Sequence, residues 1–475
     1  MSQGKIEKKQ IKRNILISIL AQMISLLVSF IIILIVPKFI SEIQYAYWQT
    51  YVLYVGYVGV LHFGLLDGLI LRYSQYDYDE LDKELMRSQF RVLLFVTSSI
   101  VIMAILLSSI FLDGNYFIVA LLVAFGIITK NQVTYTSYTF QITNRINKYV
   151  ILTIVQRACF GIITILLLLI DINDFYWFCI AELFSDIIAV MVGASMNKGL
   201  YFGKITNMKN SLNEAWVNLS SGFLLLIANW ASMLLIGGAR MVVQYRWDDL
   251  IFGKVSFAFS LSSLFLTFVN TVSIVFFPTL KRMNTDELPY LYKKIRNSLS
   301  PLLFIFMLTY YPGYWILEKW LPAYKPSLLY LGVLLPVIVF TSKVSLLTNN
   351  YMKAYRREKT LLIINATTVL LALILYFISA FILDNLIILL LSVVFIVIIR
   401  SIISEIIVMK LIKTEFWSDF AIELVVTILF IFSTIYLSKG LGFIFYSASL
   451  AIYFILCKKN VGLFSKIKNN SSFNN

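Results

Sequence analysis

Long apolar runs follow one another along the whole chain and predict an all-α, polytopic membrane protein. A helix needs about 20 apolar residues to cross the hydrocarbon of a bilayer. Fourteen runs approach this length, which predicts fourteen transmembrane helices. They lie at 14–36, 46–70, 90–112, 116–140, 150–170, 175–196, 218–240, 249–277, 299–318, 327–352, 360–383, 386–409, 420–438 and 441–457. Only the first half of the run 116–140 is apolar, so this span must include the polar stretch 129–141.

Basic residues in the connecting segments indicate how the spans are oriented. The segments on the side of the N-terminus contain 29 Lys and Arg, against 6 in the segments on the other side. Cytoplasmic segments of membrane proteins are enriched in these residues. The counts therefore place the N- and C-termini in the cytoplasm.

Composition limits the classes of function. Of the 475 residues, 60% are hydrophobic and 14% are charged, and the mean hydropathy is +0.84. This composition excludes a soluble globular, a disordered or a fibrous protein. The net charge of +15 follows from basic loops that face an anionic leaflet, so no nucleic-acid partner is needed to explain it. One histidine and three cysteines in separate apolar runs form no metal-site pattern, and we expect neither a metal nor a cofactor.

The connecting segments are too short for a separate soluble domain. No loop exceeds about 21 residues, and the outside loops include the very short Asp113–Asn115, Asp171–Asp174 and Asp384–Asn385. A membrane enzyme such as a glycan polymerase or a lipid-linked glycosyltransferase usually needs a sizeable outside loop with catalytic side chains. We therefore expect that the protein is not an enzyme and that it acts within the membrane.

The chain repeats after six spans. Asn14 opens the first span and Asn218 the seventh, and Lys130 and Lys343 lie at matching depths 213 residues apart. Because six is even, the two halves have the same orientation, as in parallel repeats. We expect two six-helix lobes and two further helices. The predicted segments are a basic N-terminus (1–13), an N-lobe (14–196), a cytoplasmic linker (197–217), a C-lobe (218–410), helices 13 and 14 (411–457) and a cytoplasmic tail (458–475).

Cations within or at the ends of spans are the main functional signal. A Lys or Arg at the centre of a membrane helix costs roughly 2.5–3.5 kcal/mol on insertion scales, so it faces protein or water rather than lipid. We hypothesise a cationic cavity that binds an anionic head group such as a diphosphate. Its candidate residues are Lys130, Arg157, Lys343, Lys254 and Arg240.

Polar and aromatic residues are candidates for the lining of this cavity. Thr134, Ser137 and Gln141 share one helix face with Lys130, because the four recur at intervals of three or four residues. Tyr51 and Tyr54 lie on the second span and would line a path for sugars. Ordinary helix packing with interfacial anchoring is the alternative for the tyrosines.

Buried acids that neutralise the cations are the alternative to an anion-binding cavity. The candidate coupling or ion-pair residues are Asp67, Glu182, Asp186, Arg400 and Glu405. The pairs would be Arg157 with Glu182 or Asp186, and Arg400 with Glu405, whereas Lys130 and Lys343 have no obvious acid nearby. Asp67 has either a structural bridge to Arg72 or a role in gating. Arg240 and Lys254 could instead extend to the outer surface.

The chain resembles a known group of transporters. The resemblance rests on the 6+6+2 arrangement of spans and on three segments: FGLLDGLILRY at 63–73, QITNR at 141–145, and the course of the eighth span from Gly253 to the FPTLKR sequence at 277–282. These features are similar to those of bacterial polysaccharide-biosynthesis flippases, which move precursors of O-antigen, capsule or teichoic acid. The group belongs to the multidrug/oligosaccharidyl-lipid/polysaccharide exporter superfamily.

The resemblance implies a function and a location. It implies a V-shaped pair of lobes in the cytoplasmic (inner) membrane that translocates a polyprenyl-diphosphate-linked oligosaccharide by alternating access. In this fold helices 1, 2, 4, 5, 7, 8, 10 and 11 line the cavity, so Lys130, Arg157, Lys254 and Lys343 lie on its walls and Arg400 does not. The implied partners are the glycan substrate, membrane lipids and the polysaccharide polymerase machinery. A cation-coupled drug or metabolite antiporter of the same superfamily is the alternative, although it would require carboxylates in the cavity.

Overall fold

The computed structural model describes residues 2–281, 287–414 and 417–457, and these residues are helical without any β-strand. Twelve helical segments are long and apolar enough to cross a membrane, and a bent pair of helices makes a thirteenth. The last helix is apolar but shorter. The prediction of an all-α, polytopic membrane protein is thus confirmed. The expected tail at 458–475 lies outside the described residues.

Contacts within the chain divide it into two compact units, residues 1–253 and 254–475. The helices that lie in the first unit are α1 (Ser2–Phe39), α2 (Glu42–Val55), α3 (Leu65–Tyr73), α4 (Lys83–Phe111), α5 (Gly114–Ile142), α6 (Ile146–Leu169), α7 (Phe175–Met196) and α8 (Met208–Arg246). The division falls within α9 (Asp249–Lys281). The seventh span, α8, packs mainly on α3 and thus groups with the first six spans. The expected lobes at 14–196 and 218–410 stay a prediction.

The second unit continues with eight further helices. They are α10 (Leu288–Leu308), α11 (Tyr310–Trp320), α12 (Lys325–Lys343), α13 (Asn349–Ala354), α14 (Glu358–Phe377), α15 (Leu386–Ile412), α16 (Trp417–Tyr436) and α17 (Lys439–Cys457). Two π-helical turns, at Val344–Thr348 and Ile378–Ile382, extend α12 and α14. The first of these turns begins directly after Lys343, and such turns are frequent at functional positions.

Local sequence explains where several helices begin. Ser41, Asp82, Asn207 and Asn385 precede α2, α4, α8 and α15, and each side chain accepts a hydrogen bond from the backbone N–H three residues later. Such caps satisfy backbone donors that the first turn of a helix leaves free. Polar residues in the short loops therefore fix the starts of apolar helices.

The second span is broken, which the continuous run 46–70 does not predict. α2 ends at Val55, a 3-10 helix covers Val58–His62, and α3 then continues at an angle of 58° to the first part. Phe63 and Gly64 both have positive φ, at +52° and +94°. Glycine adopts this conformation without a steric penalty, so Gly64 permits the change of direction. His62 Nδ1 accepts a hydrogen bond from the Gly64 N–H at 3.1 Å, which satisfies a donor at the break.

We expect single cysteines to report opposite sides of the membrane in a variant without Cys159, Cys179 and Cys457. A cysteine at Asn115 should react with an impermeant thiol reagent in intact cells, because the positive-inside rule places this loop outside. A cysteine at Lys204 should react only after permeabilisation. Both residues are exposed, so access depends on sidedness alone. The reverse pattern of labelling would overturn the predicted orientation.

Candidate functional site

Lys130 belongs to a compact ion-pair cluster in the first unit. Its Nζ lies 2.6 Å from Glu182 Oε1 and 3.0 Å from Asp186 Oδ2. The two acids are four residues apart on α7, so they share a helix face that packs against α5. We call Lys130, Glu182 and Asp186 the first-unit charge cluster. The expectation that Lys130 has no acid nearby is wrong, because α5 and α7 are neighbours in space although these residues are distant in sequence.

Polar side chains surround the acids of this cluster. Gln156 on α6 donates a hydrogen bond to Asp186 Oδ1 at 2.6 Å, and Thr129 donates to Asp186 Oδ2 at 3.1 Å. Asp186 is fully buried, and these donors satisfy part of its hydrogen-bonding capacity. The network therefore connects α5, α6 and α7 through one carboxylate.

Arg157 remains outside the first-unit charge cluster. The expected ion pairs with Glu182 and Asp186 do not form, and among the residues described here the guanidinium makes no hydrogen bond or salt bridge. It lies near enough to Lys130 for electrostatic repulsion. Arg157 lies on the side of α6 that carries the buried Phe160 and Thr164 and is itself partly exposed. Its role in anion binding stays a prediction.

The polar face of α5 is accessible from outside the first unit. Lys130, Thr134 and Ser137 are partly exposed, and Gln141 is exposed. The Thr134 hydroxyl donates to the Lys130 carbonyl oxygen at 2.8 Å, which leaves the hydroxyl oxygen free to accept. This exposure fits a water-filled lining, and the role of these residues in a cavity stays a prediction.

A second set of polar side chains lies where α2 and the following 3-10 helix (Val58–His62) meet α8. Arg240 Nη2 donates to Gln49 Oε1 at 3.3 Å, and its buried Nε has no hydrogen-bond partner among the described residues. Within the described ranges, no carboxylate lies within ion-pair distance of Arg240. Tyr54 donates to Gln244 Oε1 at 2.8 Å. We call Gln49, Tyr54, Tyr57, Arg240 and Gln244 the tyrosine–arginine niche.

The tyrosines of the second span have different environments. Tyr54 is 37% exposed in the tyrosine–arginine niche, and the Tyr57 hydroxyl donates to the Met233 carbonyl at 3.2 Å. Tyr51 is fully buried close to Glu182 and Asp186, and its hydroxyl has no hydrogen-bond partner in the described segments. Tyr54 is therefore available to a ligand, and the expected accessible lining role of Tyr51 does not fit its burial.

Lys343 belongs to a larger cluster in the second unit. Its Nζ lies 2.6 Å from Glu423 Oε2 and also contacts Glu405. Arg296 lies 3.1 Å from Glu405, 2.7 Å from Asp419 and 3.3 Å from Glu423. We call these five residues the second-unit charge cluster. The expectation that Lys343 lacks an acid is wrong, and Glu405, the expected partner of Arg400, contacts Lys343 and Arg296 instead.

The sequence patterns miss three members of the second-unit charge cluster. They place Arg296 in a loop at 278–298, although α10 begins at Leu288 and buries this guanidinium almost completely. Asp419 and Glu423 stand four residues apart at the start of α16, and Glu423 lies within an apolar run. The signal available in the sequence was Glu423, because an acid inside an apolar run indicates a buried partner. Three acids and two cations give the cluster a formal charge of −1.

The remaining candidates do not join either cluster. Asp67 is buried, with Oδ2 3.8 Å from His62 Nε2, and Arg72 contacts Glu214 rather than Asp67. Arg400 is buried in α15, and Lys254 is partly exposed in α9. Their roles in coupling and in anion binding stay predictions.

Comparisons with known proteins identify the fold. No protein-family model and no curated protein matches this sequence. Among solved structures, the chain is similar to the lipid II flippase MurJ in an inward closed conformation, with a TM-score of 0.68 and 14% identity over 94% of this chain and 99% of that one.

Two structures of the MATE type share the same fold. A multidrug resistance MATE family transporter of the MOP superfamily in an inward-facing conformation has a TM-score of 0.61 and 10% identity over 82% of this chain and 98% of that one. A point mutant of a MATE protein has a TM-score of 0.59 and 13% identity over 85% of this chain and 96% of that one. These similarities show that the chain shares the fold of these solved proteins.

We expect Lys343→Met to destabilise the protein strongly. Removing one partner of a buried ion pair leaves uncompensated charge and costs about 3–5 kcal/mol. Here Glu405 and Glu423 would be left with Arg296 alone. Thermal unfolding in detergent, followed by size-exclusion chromatography, measures the loss.

The matched control is Lys319→Met at an exposed position, which should change stability little. The double variant Lys343→Met/Glu423→Gln should recover part of the loss, since it removes one negative charge together with the positive one. An unchanged melting temperature for Lys343→Met would contradict the charge balance assigned to the cluster.

Proposed function

We propose that the protein is a flippase that translocates a polyprenyl-diphosphate-linked oligosaccharide across the cytoplasmic membrane by alternating access, for surface polysaccharide assembly. The observation that carries the proposal is Arg240, which lies near the C-terminal end of α8 beside tyrosines and has no carboxylate partner among the described residues. A cation that the protein leaves without an acid is suited to an anionic ligand. No bond is made or broken, so the activity is transport rather than catalysis.

The charge clusters divide the candidate cations into two groups. Lys130 and Lys343 each contact two acids, so their charge is already neutralised within the protein. Arg157 and Arg240 have no such partner within the described ranges. A planar guanidinium can bind phosphate through two parallel hydrogen bonds, whereas a lysine acts as a point charge. We therefore assign diphosphate binding chiefly to the two arginines, and Lys254 remains a separate candidate from the sequence.

The surroundings of Arg240 suit the sugar part of the substrate. Tyr54 combines an exposed ring with a hydroxyl that already takes part in hydrogen bonding to Gln244. Tyrosine rings pack on sugar faces, and their hydroxyls bind sugar oxygens. The accessible face of α5 at Thr134, Ser137 and Gln141 offers further hydrogen-bonding groups. These features support a glycan beside the head group.

The comparisons and the sequence support different parts of the proposal. The similar protein MurJ is named a lipid II flippase, which supports a lipid-linked substrate. The O-antigen, capsule or teichoic-acid type of glycan, the polymerase machinery as partner and the cytoplasmic termini rest on the sequence. The recurrence of a lysine on the fourth and tenth spans, each paired with an acid on the sixth or twelfth, supports the two-lobe repeat.

A cation-coupled antiporter is the second candidate, and one observation favours it. The second-unit charge cluster contains one more carboxylate than cations and is nearly inaccessible to water. Because a buried net charge is costly, a proton or a monovalent cation would be retained there. The MATE protein of similar fold is named as a multidrug resistance transporter. In a flippase, the second-unit charge cluster would serve equally for energy coupling.

We expect Arg240→Gln to reduce export of surface glycan. A hydrogen bond to a charged group contributes about 2 kcal/mol, or roughly a thirtyfold change in affinity. Arg240→Lys should retain part of the activity, because it keeps the charge but loses the planar fork. Lys319→Gln is the matched control. Mass spectrometry of lipid extracts measures the polyprenyl-diphosphate oligosaccharide that accumulates when export fails.

The same extract from cells without the protein separates the two candidate functions. Complete lipid-linked repeat units should accumulate on the cytoplasmic face, and surface glycan should be lost. Normal lipid-linked intermediates with intact surface glycan would refute the flippase and favour antiport.

We expect Glu423→Gln to leave a folded protein whose transport no longer responds to an imposed ion gradient. The substitution leaves two acids and two cations, so the second-unit charge cluster becomes formally neutral without a bound proton or cation. Transport in vesicles with and without a proton or sodium gradient measures the response. Glu318→Gln, at an acid outside the cluster, is the control. An unchanged gradient response in Glu423→Gln would exclude a coupling role for this cluster.

A further inference from the structure

The contact between α3 and α8 is made by backbone rather than by large side chains. Gly64 and Gly68 are spaced four residues apart in the sequence GLLDG and lie against Gly222 and Asn218 of α8. A Cβ atom at position 68 would stand 1.9 Å from the Asn218 carbonyl oxygen, and one at 222 would stand 2.0 Å from the Gly64 carbonyl oxygen. Small residues at this spacing let two helices in a membrane approach closely. We call these four residues the glycine seal.

One helical turn further along α3, polar side chains make the contact with α8. Arg72 donates hydrogen bonds to Glu214 and, at 2.5 Å, to Asn218 Oδ1. The Tyr73 hydroxyl donates to Glu214 Oε1 at 2.6 Å. The Arg72 side chain is 32% exposed, so water can replace these bonds when the helices separate. Partly exposed ion pairs contribute little net stability and can therefore break and reform.

α3 is connected to α2 by a segment that can bend. The break at 56–64 includes the positive φ of Phe63 and Gly64, and a Cβ atom at Gly59 would meet no atom within 4 Å. Hinges of this kind are a few residues at element ends that absorb backbone rotation. Because this break directly precedes α3, a backbone rotation there would let α3 move without unfolding α2.

We propose that the glycine seal is a gate at the end of the first unit that carries the basic loops, and that α3 separates from α8 in every transport cycle. This inference rests on the proposed function, because a gate is needed only by a protein that alternates its access. A contact between smooth backbone surfaces has no interlocked side chains to disengage. After opening it can therefore close again in the same register, since only glycine fits at its centre.

Thiol labelling tests whether the seal covers α8. Ala215 is buried beside the seal, so a cysteine there reports exposure in a variant without the native cysteines. Gly68→Leu and Gly222→Leu should hold the seal open and raise the labelling rate about tenfold or more, equivalent to about 1.4 kcal/mol of opening. Gly313→Leu is the matched control, because a Cβ atom at Gly313 meets nothing within 4 Å. Unchanged labelling in folded Gly68→Leu protein would overturn the proposal.

A reversible cross-link tests whether the seal must open. Arg72→Cys/Glu214→Cys, joined by a cleavable bifunctional thiol reagent, should stop transport of purified lipid-linked oligosaccharide in vesicles, and reduction should restore it. Each single-cysteine variant, treated in the same way, is the control. Full transport by the cross-linked protein would show a purely structural contact and overturn the gate.

The two tests separate this inference from the proposed function. If the unmodified protein transports no lipid-linked oligosaccharide, the flippase proposal fails. The labelling result is unaffected by that outcome, because it measures only the exposure of position 215.

Discussion

Charge within a bilayer has to be neutralised or reached by water, and this constraint organises both units of the protein. In the first unit one lysine contacts two acids, and a glutamine and a threonine satisfy one of those acids further. In the second unit five charged groups from four helices meet in a nearly inaccessible core. Each charge is tolerable only because its partners are in place, so the clusters fix which helices lie beside one another. The helices that carry these residues cannot separate without exposing charge to lipid.

This constraint also indicates which cations are available to a substrate. Lys130 and Lys343 look unpaired in the sequence, yet each contacts two carboxylates in the folded chain. Arg157 and Arg240 contact no carboxylate in the described segments, and the Arg240 guanidinium keeps a donor there without a partner. Lys130, Lys343 and also the Arg296 guanidinium are thus used in internal ion pairs. Under the proposed function, the planar guanidinium groups of Arg157 and Arg240 are the ones left for a bidentate anion. An anion site built from arginine next to tyrosine is consistent with a substrate that joins a diphosphate to a sugar.

The spans could be predicted from sequence because the bilayer imposes a length on each of them. The polar stretch 129–141 was correctly included in the fourth span, since α5 runs to Ile142. Helix neighbours could not be predicted in the same way. The acids that meet Lys130 lie 52 and 56 residues away, and Glu423 lies 80 residues from Lys343, so neither pair leaves a periodic signal. Arg296 was missed because the polar N-terminal turns of α10, from 288 to 296, look like a loop, although the folded chain buries this arginine. The break of the second span was hidden for a related reason, because an apolar run does not record the direction of the helix axis.

Strong and weak contacts are distributed in a way that fits a moving protein. The charge clusters join α5 to α7 and α12 to α15 and α16, and they use buried ion pairs that would be costly to break. The contact of α3 with α8 has the opposite character, with glycine backbones at its centre and a partly exposed arginine at its edge. α3 is also the helix that follows a bend, whereas α5 and α7 are continuous. A protein that changes its access while keeping its helices packed needs rigid groups of helices and at least one contact that can be remade. The sequence GLLDG supplies such a contact, because glycine at its first and last positions lets the backbones meet without side chains between them.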